Sequence, residues 1–213
     1  MTPCDILLVG VGGQGVLTIG DLLLRTAFAA DVPASFCPTK GMAQRGGFVK
    51  AELRLGVDGV GPRIGHHGAD LLVAMERSET LRGIPFVKPG GDVLLYDHVW
   101  APTGVQLGTD DYPPLEEVTA AIEGTGAQWT VLRPSDRPTV DGVPVAANIF
   151  LLGALLTRRS LSALLCTEDV EQVLAARWPS AADTNLAAFR AGLSAAGRFA
   201  SGDEAEGTRH VLG

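Results

Sequence analysis

Gly10, Gly12 and Gly15 have the spacing G-x-G-x-x-G and directly follow an apolar run that ends at Val9. Glycines allow positive φ angles and let a ligand approach the backbone without meeting a Cβ atom. A helix predicted to begin at Val16 would point unpaired N–H groups and the positive end of its dipole into the turn. The pattern therefore predicts a site for an anion, with a phosphate or diphosphate as the natural occupant. The alternative is a turn that needs its glycines only for close packing.

Gly13 and Gln14 complete this first candidate segment. A dinucleotide-binding unit also needs an acidic residue at the end of its second strand, about 20 residues beyond the glycines. The nearest candidate, Asp31, precedes the predicted second strand. The position of Asp31 therefore weakens the interpretation as a dinucleotide site. A diphosphate could still bind at the turn, because it needs no acidic residue to bind a ribose.

A second glycine-rich segment, residues 38–47, follows the predicted second strand. Arg45 offers a planar fork for a carboxylate or phosphate, and Gln44 offers a donor and an acceptor. Because both loops follow parallel strands, we expect them to meet at one sheet edge and form an anion-accepting site or a docking edge. The alternative is a structural turn in which Arg45 pairs with an internal carboxylate. The candidate cofactor-binding residues are Gly10, Gly12, Gly13, Gln14, Gly15, Gly41, Met42, Gln44, Arg45, Gly46 and Gly47, and no residue is predicted to be catalytic.

The cysteines and histidines give no metal prediction. Cys4, Cys37 and Cys166 are isolated, so neither an iron–sulfur cluster nor a zinc site is predicted on this chain. His66 and His67 are adjacent, but neighbouring histidines on one loop seldom reach one metal, and no third ligand has a suitable spacing. The interpretation is free thiols in a cytoplasmic protein.

The apolar pattern predicts the elements that must position these loops. The 213 residues, 46% of them hydrophobic, suit one domain over residues 1–200, with a disordered tail over residues 201–213. Strands are predicted at 6–9, 35–37, 48–55, 70–74, 92–96 and 129–132, and helices at 16–29, 78–82, 115–123, 146–157, 167–177 and 183–196. Their alternation predicts a three-layer, Rossmann-like α/β fold, with a mostly parallel sheet, helices on both faces and a C-terminal helical segment.

Three further features bear on partners. The net charge of −7 argues against a nucleic-acid partner, and the apolar runs are too short to span a membrane. The segment 146–157 is apolar on every face, which predicts that part of it contacts a partner chain or a second copy. At the start of that segment, Asn148 is interpreted either as a helix cap or as an interface residue.

The alternating segment 48–55 predicts a half-exposed strand near a sheet edge.

Taken together, the two loop motifs, residues 9–16 and 41–47, resemble the two characteristic segments of the gamma subunit or domain of 2-oxoacid:ferredoxin oxidoreductases. The segments 68–74, 88–91, 148–154 and 185–192 follow in the family's order, and the resemblance spans about residues 5–193. As a short separate chain, the protein is most similar to the beta subunit of indolepyruvate ferredoxin oxidoreductases. Pyruvate, 2-oxoglutarate and branched-chain 2-oxoacid enzymes have similar gamma parts.

The resemblance implies a subunit of an enzyme that decarboxylates a 2-oxoacid, such as an aryl pyruvate, on thiamine diphosphate. Electrons would leave through iron–sulfur clusters to ferredoxin, and the acyl group would pass to coenzyme A. Because this sequence has no GDG…NN thiamine motif and no cluster cysteines, the resemblance implies that thiamine diphosphate and the clusters lie on a partner subunit. The chain alone would be inactive. Two alternatives stay open: a free-standing nucleotide- or flavin-binding oxidoreductase, and a non-catalytic α/β scaffold.

Overall fold

The computed structural model describes residues 2–40, 47–101, 103–109 and 111–201. Its main sheet has six strands, β1 (Cys4–Val11), β2 (Ala34–Lys40), β3 (Phe48–Leu55), β4 (Ala69–Ala74), β5 (Val87–Tyr96) and β6 (Gln128–Leu132). Their order is β2-β3-β1-β4-β5-β6. Strands β1, β4, β5 and β6 are parallel neighbours, whereas β3 runs antiparallel to both β1 and β2. The sheet is therefore mostly parallel, with one reversed strand.

Helices and a small hairpin connect and flank the strands. The helices are α1 (Val16–Ala29), α2 (Arg77–Gly83), α3 (Thr103–Gln106), α4 (Leu115–Glu123), α5 (Ala147–Leu156), α6 (Arg159–Ser162), α7 (Thr167–Arg177) and α8 (Ala182–Ser201). Short 3-10 turns lie at Ile84–Phe86, Pro134–Asp136 and Pro179–Ala181. The hairpin consists of β7 (Thr139–Val140) and β8 (Val143–Pro144).

The core lies on both faces of the sheet. Alternate residues of β1 point to opposite sides, so Ile6 and Leu8 join one cluster and Leu7 and Val9 join the other. The first cluster contains apolar residues of α1, α5, α7 and α8, and the second contains those of α4. This arrangement is the predicted three-layer α/β fold, with the C-terminal helices packed on one face.

Helix α5 is buried within the chain itself. Every residue from Ile149 to Leu156 is buried, which explains why the segment is apolar on all sides. It packs on α8 at two facing glycines: a Cβ atom on Gly153 would overlap the Phe189 carbonyl, and one on Gly192 would overlap the Phe150 carbonyl. The apolar composition of α5 therefore reflects internal packing, and it no longer supports the predicted contact with a partner or a second copy.

The structure corrects several predicted boundaries. Strand β2 is longer than predicted and includes Pro38. An edge strand tolerates proline, because the backbone N–H that proline lacks is not needed on the side without a neighbouring strand. Strand β5 begins at Val87, so the predicted Pro89-Gly90-Gly91 turn lies inside it. Strand β3 has the predicted limits and lies near the sheet edge as predicted, next to the edge strand β2, but its Glu52 is buried. The predicted tail was 201–213; Ser201 is the last residue of α8, and residues 202–213 lie outside the described residues.

Candidate functional site

The two glycine-rich segments are adjacent at the C-terminal end of β1. The backbone N–H of Gly12 donates to the Gly47 carbonyl over 2.8 Å, and Val11 pairs with Phe48 in the sheet. Because β2 and β1 run the same way, both loops leave the same sheet edge, as predicted. Of the candidate binding residues in the second segment only Gly47 is described; Gly41, Met42, Gln44, Arg45 and Gly46 lie outside the described residues.

The turn after β1 has the backbone that its glycines allow. Gly13 has φ +103° and Gly15 has φ +88°, both in the left-handed region. Gly15 is the N-cap of α1 and has no side chain to satisfy the first N–H groups of that helix. A Cβ atom on Gly13 would meet nothing within 4 Å. Gly13 therefore faces open space, and the N-terminus of α1 lies beside it.

Two other glycines of the motif are explained by packing. A Cβ atom on Gly10 would lie 2.7 Å from Oε1 of Gln14 and 2.8 Å from Cγ2 of Val16. One on Gly15 would lie 2.5 Å from Nδ2 of Asn148. Close packing thus accounts for Gly10 and Gly15, whereas it does not account for Gly13.

The Gln14 side chain faces the protein. Its Oε1 accepts from the N–H of Val11 over 2.9 Å, and its Nε2 donates to the Met75 carbonyl over 2.7 Å. The same Nε2 lies 3.3 Å from Nδ1 of His98. Gln14 thus joins its own turn to the chain that follows β4 and β5.

Asn148 brings a second helix to this turn. It lies in the first turn of α5, whose N-cap is Ala146, so Asn148 does not cap the helix as one interpretation expected. Its side chain packs on Gly15, which places the N-terminus of α5 next to that of α1. The positive ends of two helix dipoles therefore point to the same edge.

Three residues beside the turn were missed by the sequence analysis. Tyr96 is the last residue of β5 and is 2% exposed, and its ring stacks at 6.0 Å on that of His98. The guanidinium of Arg137 lies 6.0 Å from the Tyr96 ring and donates to the Val145 carbonyl, just before α5. Burial raises the pKa of Tyr96, and Arg137 opposes this effect. The available signal was position, because Tyr96 ends a parallel strand, where ligands of α/β proteins bind.

Asp31 does not occupy the position that the acidic residue of a dinucleotide site has beside the glycine turn. Asp31 is exposed, has φ 52° and precedes β2. In addition, β2 is separated from β1 by β3, so its end is not beside the glycine turn. The chain therefore departs from a dinucleotide-binding unit in topology as well as in sequence.

The cysteines lie apart from one another in different environments. Cys4 is buried in β1, where burial raises its pKa to about 12. Cys37 is partly buried in β2. Cys166 is exposed, and its Sγ caps α7 by accepting from the backbone N–H of Asp169. Within the described part of the chain, no three His, Cys, Asp or Glu residues are grouped to hold a metal ion.

The histidine loop is held by local contacts. The His66 ring packs 4.8 Å from that of Phe86, and the His67 N–H donates to the Pro85 carbonyl.

Of the helices that the structure describes, none combines the length and apolarity needed to cross a membrane.

Comparison with known proteins identifies the family. Residues 5–195 match the family model described as pyruvate ferredoxin/flavodoxin oxidoreductase. The chain belongs to this family.

Relatives of similar length support the assignment to this oxidoreductase family. The chain is 33% identical over 193 residues to an indolepyruvate oxidoreductase subunit IorB of Archaeoglobus fulgidus, covering 90% of this chain and 94% of that protein. It is 32% identical over 198 residues to the protein of the same name in Pyrococcus horikoshii, covering 92% and 97%. The recognition made from the two loop motifs is thereby confirmed.

Solved structures confirm the fold. The gamma subunit of a keto/oxoacid ferredoxin oxidoreductase from Geobacter sulfurreducens superposes with a TM-score of 0.63 at 23% identity, over 91% of this chain and 98% of that one. Pyruvate oxidoreductase subunit PORC from Thermotoga maritima gives 0.66 at 20% identity, over 91% and 97%. A 2-oxoglutarate:ferredoxin oxidoreductase from Magnetococcus marinus, with 2-oxoglutarate, coenzyme A and succinyl-CoA bound, gives 0.58 at 18% identity, over 92% of this chain but 31% of that one.

Proposed function

We propose that the chain is a gamma-type subunit of a 2-oxoacid:ferredoxin oxidoreductase, with an aryl pyruvate such as indolepyruvate as the substrate. The observation that carries the proposal is the match over nearly the whole length of both chains to indolepyruvate oxidoreductase subunits. Because the match covers nearly the whole length of these relatives, it supports a subunit of the same kind. The proposed localisation is the cytoplasm, where the chain would belong to a complex that passes electrons to ferredoxin.

Thiamine diphosphate and the iron–sulfur clusters are assigned to a partner subunit in this proposal. The three cysteines of the sequence lie on β1, β2 and the start of α7, and a cluster bound by cysteines needs several of them side by side. The donor set of the described residues therefore does not fit a cluster. The catalytic chemistry is accordingly assigned to the partner chain.

Coenzyme A is the cofactor that fits the glycine turn, and its diphosphate is the part that would lie there. The fit rests on the open space at Gly13, the uncapped N-terminus of α1 and the second helix N-terminus at Asn148. Gly13 and Gly15 would offer backbone N–H groups, whereas the N–H of Gly12 is already bonded to Gly47, and Arg45 would add a charge. The bound coenzyme supplies a thiol that accepts the acyl group. Gly10 and Gln14 would shape the turn without touching the ligand.

A free-standing nucleotide enzyme is the weaker candidate. It would need the acidic partner of a ribose beside the turn, and Asp31 does not occupy that position. The scaffold alternative predicts that the fold is kept without a partner that carries cofactors.

Affinity capture tests the proposal. The tagged chain is recovered from native extract, and the captured complex is analysed for thiamine and iron, and for reduction of a viologen dye by indolepyruvate, pyruvate and 2-oxoglutarate. A partner that carries thiamine diphosphate and iron, with activity on indolepyruvate, supports the proposal. Capture of the chain with a bound flavin or nicotinamide chromophore would favour the free-standing enzyme. Capture without partner or cofactor would favour the scaffold.

A further inference from the structure

A cavity lies apart from the glycine turn, between α2 and the segment that leads into α4. Its volume is about 530 Å³. Apolar groups form much of its wall, namely the side chains of Leu81, Val105, Pro113 and Pro114 and the ring of Tyr112. We call it the acidic pocket, because Glu79, Asp111 and Glu117 also line it.

The charges of the acidic pocket are unbalanced. Among the described residues that line it, Arg82 is the one cation against three carboxyl groups. Arg82 is 62% exposed, and its Nε lies 3.3 Å from Oε2 of Glu79. Its guanidinium also packs 5.2 Å over the Phe48 ring, outside the pocket. The lining therefore retains a net negative charge.

Glu79 and its neighbour Glu76 differ in how they are satisfied. Glu76 is fully buried and accepts hydrogen bonds from the N–H groups of Glu79 and Trp100 and from the hydroxyls of Ser78 and Tyr112. Glu79 is 6% exposed, and its Oε2 has no hydrogen bond within the described structure. Burial raises the pKa of Glu79, Arg82 opposes this, and Glu76 adds to it. Oε2 of Glu79 thus has an ion pair with the largely exposed Arg82 but no hydrogen bond, and a donor brought by a ligand would supply the bond that it lacks.

Exposed apolar side chains lie on the chain that borders the acidic pocket. Val99 and Trp100 are substantially exposed and Leu107 is 73% exposed, and Val105 of the same connection lines the pocket. The Trp100 N–H and the Tyr112 hydroxyl share one oxygen of Glu76, which holds this connection against the pocket wall. Exposed apolar groups beside a charged cleft are typical of a surface that another protein covers.

We propose that the acidic pocket receives an arginine side chain from an apolar segment of a partner chain. The guanidinium would donate to Glu79, its methylene stem would lie against Leu81 and Pro113, and the flanking residues would cover Trp100 and Leu107. Arginine fits because it offers several donors in one plane and carries an apolar stem. The existence of a partner rests on the proposed function, whereas the pocket itself can be tested on this chain alone.

The test uses the full chain, labelled with ¹⁵N, and a short probe peptide. The probe is acetyl-Leu-Arg-Leu-amide, and its neutral counterpart has citrulline in place of arginine. Saturable shifts of the Val105, Tyr112 and Glu117 amide signals report binding. The arginine peptide should bind about tenfold more tightly than the citrulline peptide, the scale of one charge-assisted hydrogen bond.

Matched variants separate the groups. Glu79→Gln should remove the preference for arginine, whereas Glu123→Gln, an equal charge change at an exposed site on α4, should leave it intact. Leu107→Ser should weaken the peptide about two- to fivefold, the effect expected of losing apolar contact, whereas Val143→Ser, on the β7–β8 hairpin, should not.

The proposal is overturned if the peptide gives no saturable shift, if citrulline binds as well as arginine, or if Glu79→Gln has no effect. It is also overturned if agmatine, which carries the guanidinium without the leucines, binds as tightly as the peptide. That result would mean that the pocket binds a small guanidinium compound and not a peptide segment. None of these outcomes depends on whether affinity capture finds a partner, so the two proposals fail separately.

Discussion

At the scale of single residues, Gln14 shows how one amide fixes the shape of the glycine turn. Its two polar atoms bond to Val11, at the end of β1 where the turn begins, and to Met75, just beyond β4. A side chain of this kind prepares the turn before any ligand arrives. The role of Gln14 is therefore to hold the backbone, whereas open access to the turn is at Gly13.

Replacing Gln14 by Ala should lower the free energy of unfolding by about 1–3 kcal/mol, since the Val11 N–H and the Met75 carbonyl lose their partner in a partly buried site. Urea unfolding measures the change. Gln106→Ala is the matched control, because Gln106 is exposed and its side-chain amide donates to the carbonyl of the nearby Ala101. Equal effects of the two substitutions would show that Gln14 does not hold the turn.

Glu79 gives a prediction with a defined dependence on pH. Burial raises its pKa above 4.5, against the opposing Arg82, so the folded chain holds this proton more tightly than the unfolded chain does. The stability that it contributes is complete below the ordinary pKa and is lost as the pH rises through the raised one. Glu79→Gln removes that loss. The variant should therefore melt higher than wild type at about pH 7.5, and the difference should vanish near pH 4.

Scanning calorimetry at both pH values measures this difference. Glu123→Gln serves as the control, because Glu123 is exposed. A melting temperature of Glu79→Gln below that of wild type at neutral pH would contradict the prediction. It would mean that the ion pair with Arg82 outweighs the cost of burial.

At the scale of elements, the contact between α5 and α8 is a close backbone-to-backbone packing made at two glycines. Gly153 and Gly192 bring the two backbones so near that neither position has space for a methyl group. Gly153→Ala should lower the free energy of unfolding by about 1–3 kcal/mol or more, since the helices must move apart. Gly124→Ala is the control, because its new methyl would meet carbonyl oxygens only at 3.5 Å, an ordinary contact.

Thermal or urea unfolding compares the two glycine variants. Gly124→Ala should be neutral or slightly stabilising, as expected where alanine fits the native backbone. If Gly153→Ala were equally neutral, the helices would pack less closely than the structure indicates.

The sequence predicted elements better than it predicted their pairing. The limits of α1, α4 and α7 agree with the prediction, because each has a clear start and an apolar face. The antiparallel direction of β3 was not predicted, since an alternating segment reads the same in either direction. The apolar helix α5 was interpreted as part of an interface, because an apolar pattern alone does not say what covers it.

The same distinction applies to the candidate site. The glycine turn was recognised from the local spacing of its glycines. Its contact with the second loop was predicted because both loops follow parallel strands. Tyr96 and His98 are close in sequence, but Arg137 comes from a distant part of the chain, and only the fold brings these residues next to one another and to Gln14. Asn148 was noticed, but its contact with Gly15 depends on how α5 crosses α1, which no local pattern contains.

At the scale of the whole molecule, one sheet with a core on each face gives the chain the means to fold alone. Its proposed chemistry, however, depends on cofactors assigned to another subunit. Folding and activity should therefore separate. We expect the purified chain to unfold cooperatively, to contain no stoichiometric iron, and to show no 2-oxoacid-dependent dye reduction. Adding the captured partner subunit should restore activity, with a maximum near equal molar amounts.

The measurement combines calorimetry, iron analysis and a titration of partner against chain in the dye-reduction assay. A destabilised but folded variant, Gln14→Ala, tests whether activity follows assembly instead of stability. It should still restore activity at a temperature well below its melting point. An isolated chain that is brown, carries iron and reduces the dye by itself would contradict the assignment of cofactors to the partner. A chain that folds yet restores nothing would favour the non-catalytic scaffold, since fold and function are separable.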